Sequence, residues 1–224
     1  DTTRARANIL REFLTRSDAP NRFNHKEIYE VMDLCLSCKA CKSECPSNVD
    51  MAKLKAEFLQ QYYDENGVPF RSKLIANFVT TAKIGMVAPG LYNWAVSNKA
   101  IGSTIKKLSG FAVDRSMPLL GKTTLQKWFK NYRQVVNPNN QSPVKKVNLF
   151  CDEFTNYNDV EIGKKAILLL NKLGYEVVIP EHLESARTWL SKGLIRKAKV
   201  IINKNIDALK GHISAVTPMV GIEP

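Results

Sequence analysis

Four thiols lie within the eleven residues CLSCKACKSEC, and the fifth cysteine of the chain stands far downstream at position 151. Cys35, Cys38 and Cys41 recur at every third position, Cys45 follows after three intervening residues, and Pro46 comes next. C-x2-C-x2-C-x3-C-P is the spacing of bacterial-type iron–sulfur ligation. The reason is geometric. A cubane cluster needs thiolates at several corners of one small object, and two-residue spacers let a single loop wrap three of them. The fourth thiol falls where the chain leaves the loop; in two-cluster ferredoxins it ligates the neighbouring cluster. Zinc is the rival metal. Structural zinc sites take two C-x2-C pairs across a longer insert, or one pair plus histidines. Here His25, His182 and His212 are distant in sequence and show no spacing of their own. Lys39, Lys42 and Lys53 lie in or just beyond the loop. They would favour a reduced, more negative cluster, or would simply be solvated.

The loop must be held by helices. Residues 2–16 carry an apolar stripe of Ile9, Leu10, Phe13 and Leu14 with arginines opposite, which predicts a helix ended by Asp18, Pro20 and Asn21. Asn24 with Glu27 three residues on reads as a capping pair for a second helix, whose Ile28, Val31, Met32 and Leu34 run toward the cysteines. After Pro46, Val49, Ala52, Ala56, Leu59 and Tyr63 define one face of a third helix, stopped by Asn66-Gly67. Residues 70–134 read as irregular helix broken by Pro89-Gly90, Gly102, Gly110 and Pro118, with Trp94, Trp128 and Phe129 expected in packing roles. NPNNQSP at 137–143 reads as a linker. Beyond it the pattern becomes strand at 145–151, helix at 160–173 ending at Gly174, strand at 175–179, one long helix at 191–209, and strand at 213–222. The triplet at 200–202 could be read as a strand instead. This alternation implies a parallel α/β layer.

The expected fold class is therefore α+α/β: a helical N-terminal part over 1–69, a helical connector over 70–143, and a small parallel α/β domain over 144–224. Cys151 ends a buried strand and is expected to pack rather than ligate. Asp152, Glu153, Asp159 and Glu161 could line a crevice at a strand end, but surface charge and helix capping by Asn158 or Asp159 is the plainer reading.

The net charge is +12, from 33 Lys and Arg against 21 Asp and Glu. No run of five or six basic residues marks a nucleic-acid tail. A tight cysteine cluster in a chain of 224 residues argues against a secreted disulfide framework and for a reducing, cytoplasmic setting. The opening DTTRARANIL has no apolar signal core, and the most apolar stretch, 74–96, is interrupted by Asn77, Lys83, Pro89 and Asn93. Contact with the inner face of a membrane through 70–110 is compatible with Lys83, Lys99, Lys106 and Lys107 among apolar residues.

CLSCKACKSECPSNVDMAKLKAEFLQQYY resembles the second cysteine motif of the helical-ferredoxin module in FAD-linked oxidases of the D-lactate and glycolate dehydrogenase type. The glycolate oxidase iron–sulfur subunit and heterodisulfide reductase subunits share that module. TRARANILREFLT is similar to the helix joining the two cysteine motifs, and LFCDEFTNYNDVEIGKKAILLLNKLGYEVVIP, with SKGLIRKAK and VTPMVGIEP, to the start of the cysteine-rich domain that follows. The resemblance implies a helical ferredoxin-like N-terminal part. It also implies that Cys35, Cys38 and Cys41 hold one [4Fe–4S] cluster whose fourth ligand lies outside this chain. Cys45 would serve a second cluster that cannot be completed here, so bound clusters are expected to be incomplete in this chain. FAD would sit in an upstream flavin domain of the same protein, and electrons would leave to a quinone or another acceptor. Where relatives carry a cysteine pair, this chain has Glu184-Ser185-Ala186-Arg187, and it stops at Glu223-Pro224 where the pattern goes on to Ser-Cys. The implied object is a middle piece of a 2-hydroxy-acid dehydrogenase, with no catalytic residue of its own. Two other classes stay open: a basic docking module using Arg4, Arg6, Arg11, Lys39, Lys42, Lys53 and Lys55, and a structural zinc domain without redox activity.

Overall fold

A computed structural model describes residues 2–18, 20–136 and 145–222. The elements run α1 (Thr3–Arg16), α2 (Lys26–Asp33), α3 (Ala40–Glu44), α4 (Met51–Asn66), α5 (Phe70–Ala76), α6 (Phe78–Gly85), α7 (Pro89–Ser97), α8 (Lys99–Ser109), α9 (Leu125–Val136), β1 (Lys145–Leu149), α10 (Glu153–Tyr157), α11 (Val160–Lys172), β2 (Tyr175–Val178), α12 (Arg187–Ser191), α13 (Ile195–Leu209) and β3 (Met219–Val220). They form two compact units. One comprises Asp1–Asn77 with Ala186–Val200, the other Phe78–Ser185 with Ile201–Pro224. In this division residues 186–200 belong with the first unit and residues 78–136 with the second. The expected linker at 137–143 lies outside the described residues.

The first unit is built on α4. Asp50 caps it by accepting from Lys53 N–H at 2.9 Å, and Gly67, with φ of +73°, ends it. Its apolar face carries Met51, Phe58, Leu59 and Tyr63 into a core shared with Leu10, Ile28 and Met32. Burying each such side chain contributes roughly 1.5–3 kcal/mol. Asn24 does not cap α2. His25 takes the N-cap position without a side-chain bond, and Asn24 Oδ1 instead accepts from Asn66 Nδ2 at 2.7 Å. A tertiary partner thus outcompeted the local cap.

The helix expected over 191–209 is two helices. Gly193, with φ of +73°, separates α12 from α13, and the 200–202 triplet is helical. Contacts with α4 and α5 explain the break. A Cβ on Gly193 would stand 2.2 Å from Leu59 Cβ. Arg196 pairs both guanidinium nitrogens with Asp64, at 2.8 and 2.6 Å, and Thr188 Oγ1 donates to Ala76 O at 3.1 Å.

In the second unit β1 is central in a parallel three-stranded sheet of order β2-β1-β3, with Val147 opposite Val177 and Asn148 opposite Met219. The core beside it holds Leu125, Phe129, Val147, Leu149, Cys151, Val160, Ile167 and Val177. The expected strand over 213–222 shrinks to two residues. Ser214 and Thr217 bond each other's backbone in a turn, and Asn148 Nδ2 donates to His212 O at 2.7 Å and to Thr217 O at 3.2 Å. Those groups are thereby withdrawn from the ladder. Phe129 packs as expected and Trp128 lies against the core, but Trp94 is exposed, because Asn93 and Val96 turn the other side of α7 inward.

Gly174 and Gly193 separate two costs. Both have φ above +70°, yet nothing lies within 4 Å of a Cβ at Gly174. Gly174→Ala should cost about 1–2 kcal/mol from backbone strain alone. Gly193→Ala should add about 1–3 kcal/mol for the clash with Leu59. Urea denaturation of both variants checks this; equal losses would show that the close approach to α4 is not required.

Candidate metal centre

The chain leaves α2 with Cys35 N–H donating to Met32 O at 3.0 Å. It then turns twice through left-handed residues, Ser37 with φ of 57° and Lys39 with φ of 62°, on either side of Cys38. A third, Asn48 with φ of 54°, follows the last cysteine. Such conformations cost roughly 1–2 kcal/mol for residues other than glycine, and strain of this kind concentrates at functional sites. Between these turns α3 carries Cys41, and Cys45 caps the helix, its N–H donating to Cys41 O at 3.0 Å. Cys41 and Cys45 are thus one helical turn apart.

All five cysteines are free thiols. Cys38 is exposed, and Cys35, Cys41 and Cys45 are partly covered. The loop therefore offers four unoxidised sulfur donors in one stretch. The structure does not draw them into one point: among the described residues no three Cys, His, Asp or Glu side chains gather into a metal-holding group.

The charge around the loop fits an anionic guest. Lys39, Lys42 and Lys53 are exposed, as a solvated reading expects. Lys55 is different: it is 3 % exposed, and its ammonium donates to the Cys35 carbonyl. Burial lowers its proton affinity, the Cys35 thiol opposes that shift, and Lys192 and Arg6 add to it. Burial likewise lowers that of Lys192. Arg6 contributes a buried Nε without a hydrogen-bond partner among the described residues. Sequence reasoning placed Lys55 only on a generic basic face. The signal was there, since Lys55 stands three residues after Ala52 and four before Leu59. That position belongs to the buried face of α4.

The second unit holds a different set of polar groups at the end of β1. Asp152 and Glu153 are buried, which corrects the expectation of surface charge. Asp152 caps α10, accepting from Phe154 N–H, Thr155 N–H and Thr155 Oγ1, the last at 2.6 Å. Glu153 accepts from Ser185 N–H at 2.9 Å and from its hydroxyl at 2.8 Å. Asp159 occupies the N-cap of α11 without a side-chain bond. His182 has both ring nitrogens engaged: Nδ1–H donates to Leu183 O at 2.6 Å, and Nε2 accepts from Cys151 N–H at 3.1 Å. Cys151 is buried as expected, and burial with the Asp152 carboxylate beside it pushes its thiol up to about 12. Satisfied buried polar groups of this kind hold a loop in place.

Residues 1–50 match the family described as a 4Fe-4S dicluster domain. The cysteine loop lies within the matched residues. Over 209 residues, 90 % of this chain, it is 27 % identical to D-2-hydroxyglutarate dehydrogenase of Escherichia coli (strain K12). The enzymes of the same name from Pantoea ananatis and Pseudomonas putida are 28 % and 25 % identical over 90 % and 96 % of the chain. The chain spans only 20–22 % of the length of these relatives. No solved structure matches it.

The thiols should titrate in two classes. In metal-free protein at pH 8, a disulfide reagent should modify Cys35, Cys38, Cys41 and Cys45, and reach Cys151 only after denaturation. The Cys151 value lies above the ordinary thiol range of about 8.5. Its stabilising contribution is therefore complete below that pH and is lost as pH rises toward about 12. Five rapidly reacting thiols would contradict the burial of Cys151.

Proposed function

We propose that this chain is the iron–sulfur electron-transfer segment of a larger FAD-linked 2-hydroxy-acid dehydrogenase. The observation that carries this reading is the cysteine loop, lying within residues 1–50 that match a dicluster domain, in a chain similar over most of its length to D-2-hydroxyglutarate dehydrogenases. When bound, a [4Fe–4S] cluster accepts and releases single electrons. In this reading Cys35, Cys38 and Cys41 hold one cluster, and Cys45 serves a neighbour whose remaining ligands come from a cysteine motif upstream. The N-terminal helices act as a helical-ferredoxin module. The flavin and the hydroxy-acid site belong to a domain upstream, and a quinone or another carrier takes the electrons. The names of the relatives favour D-2-hydroxyglutarate over lactate or glycolate as the acid. The residues of this chain position the thiolates, cover part of them from water and set the local charge.

Anaerobic purification of the full-length protein tests this. About eight irons with matching sulfide per chain are expected from two cubanes. Cys38→Ser should lose iron and visible absorption, and Cys151→Ser should keep both. Stoichiometric zinc without colour would overturn the reading. Binding to acidic partners that survives loss of every loop cysteine, with no iron in the native protein, would favour the basic docking module instead.

One observation favours a membrane-surface location for the acceptor. Residues 78–113 contain Lys83, Lys99, Lys106 and Lys107 and no Asp or Glu. The same stretch exposes Ile84, Val87, Leu91, Trp94, Ile101 and Leu108. No described helix is long and apolar enough to cross a membrane. An apolar face flanked by lysines suits an anionic lipid surface. The full-length protein should float with phosphatidylserine vesicles, much less with phosphatidylcholine vesicles, and Trp94→Glu should reduce flotation severalfold. Equal behaviour on both vesicle types would exclude this contact.

A further inference from the structure

Lys55 binds the Cys35 end of the loop, and two further cations, Lys192 and Arg6, act on Lys55 electrostatically. Lys55 is buried, donates to the Cys35 carbonyl, and takes part in none of the ion pairs among the described residues. Arg6, on α1, has its buried Nε donor without a partner among the described residues. Lys192, between α12 and α13, and Arg6 both act electrostatically on Lys55. The carboxylate nearby is Asp33, which is exposed and lies 4.0 Å from Arg71. A buried ion without an opposite charge is costly, and so is a buried N–H left unsatisfied. Concentrating such costs at one end of a thiol loop makes physical sense if an anion belongs there. A cluster bearing thiolates is anionic, and each reduction adds one more negative charge to it.

We propose that Lys55, Arg6 and Lys192 form a cationic seat for the iron–sulfur cluster held by Cys35, Cys38 and Cys41. Lys55 anchors the Cys35 end of the loop through its carbonyl. Together the three cations offset the charge of the cluster and raise its reduction potential. They are positioning residues, since none is a ligand. The proposal rests on the iron–sulfur reading above, and the two fail differently. A colourless, iron-free native protein sinks that reading. A normally loaded cluster indifferent to these cations sinks only this one.

The test is an EPR-monitored redox titration of the full-length protein, native and variant, with iron content measured alongside. Lys55→Met should shift the reduced-to-oxidised ratio of one cluster about tenfold toward oxidised at fixed potential, a fall in midpoint of about 59 mV for a one-electron couple. Lys55→Arg should recover most of that shift. A Lys55→Met protein with full iron and an unchanged midpoint would overturn the proposal. Where Lys55→Met does not retain its cluster, Lys192→Met decides, because it leaves the Lys55–Cys35 bond intact. It should lower the same midpoint by a smaller amount, about threefold in the ratio, and an unmoved midpoint there overturns the cationic seat.

Discussion

An ammonium group buried on a helix face is the constraint around which the first unit is organised. Lys55 occupies a position on α4 that its neighbours use for apolar contact. A lysine there must find acceptors inside the protein, because water cannot reach it. It finds the Cys35 carbonyl. That bond ties the first cysteine of the loop to the helix that follows the last one, so the loop is held at both ends by α4. The left-handed residues at 37, 39 and 48 are what such a short return demands of the backbone.

The same helix governs what lies on its other neighbours. Segment 186–200 belongs to the first unit because Gly193 lets the backbone reach Leu59 and Arg196 reaches Asp64. Lys192 comes with that segment. One cation acting on Lys55 is thus supplied from about 150 residues downstream, which is why a reading confined to the motif counted only Lys39, Lys42 and Lys53. The second unit shows the contrast. Its buried acids, its histidine and its thiol are bonded to one another or to nearby backbone, so they form closed structural ties around the end of β1. Polar density alone does not mark a site; unsatisfied charge beside donors of the right chemistry does.

Most of the architecture was legible because its signals are local. The stripes of α1 and α4, Gly67 and Gly174 as stops, and the strand–helix–strand order with parallel pairing all follow from period and turn chemistry over a few residues. The misreadings have several causes. Asn24 left its expected cap for Asn66, the 191–209 helix broke where Gly193 meets α4, β3 shortened where Ser214 and Thr217 closed a turn, and Asp152 and Glu153 were buried by partners on α10 and at Ser185. In the first, and for Glu153 in the last, a group distant in sequence offered a better bond than solvent; in the second a close approach to α4 set the break, and β3 and Asp152 were decided by turn and cap bonds two or three residues away.

By itself the sequence pointed to the chemistry: thiols at that spacing, followed by proline, are the pattern of iron–sulfur ligation, with zinc the open rival. The tertiary structure decided the surroundings of that chemistry. Which lysine is buried, which arginine nitrogen lacks a partner among the described residues and which segment returns to α4 depend on packing between elements far apart in the chain. Charge in a low-dielectric interior acts strongly over short distances, so these placements would tune the electron affinity of a cluster held by the loop, a property that ligand spacing alone leaves open.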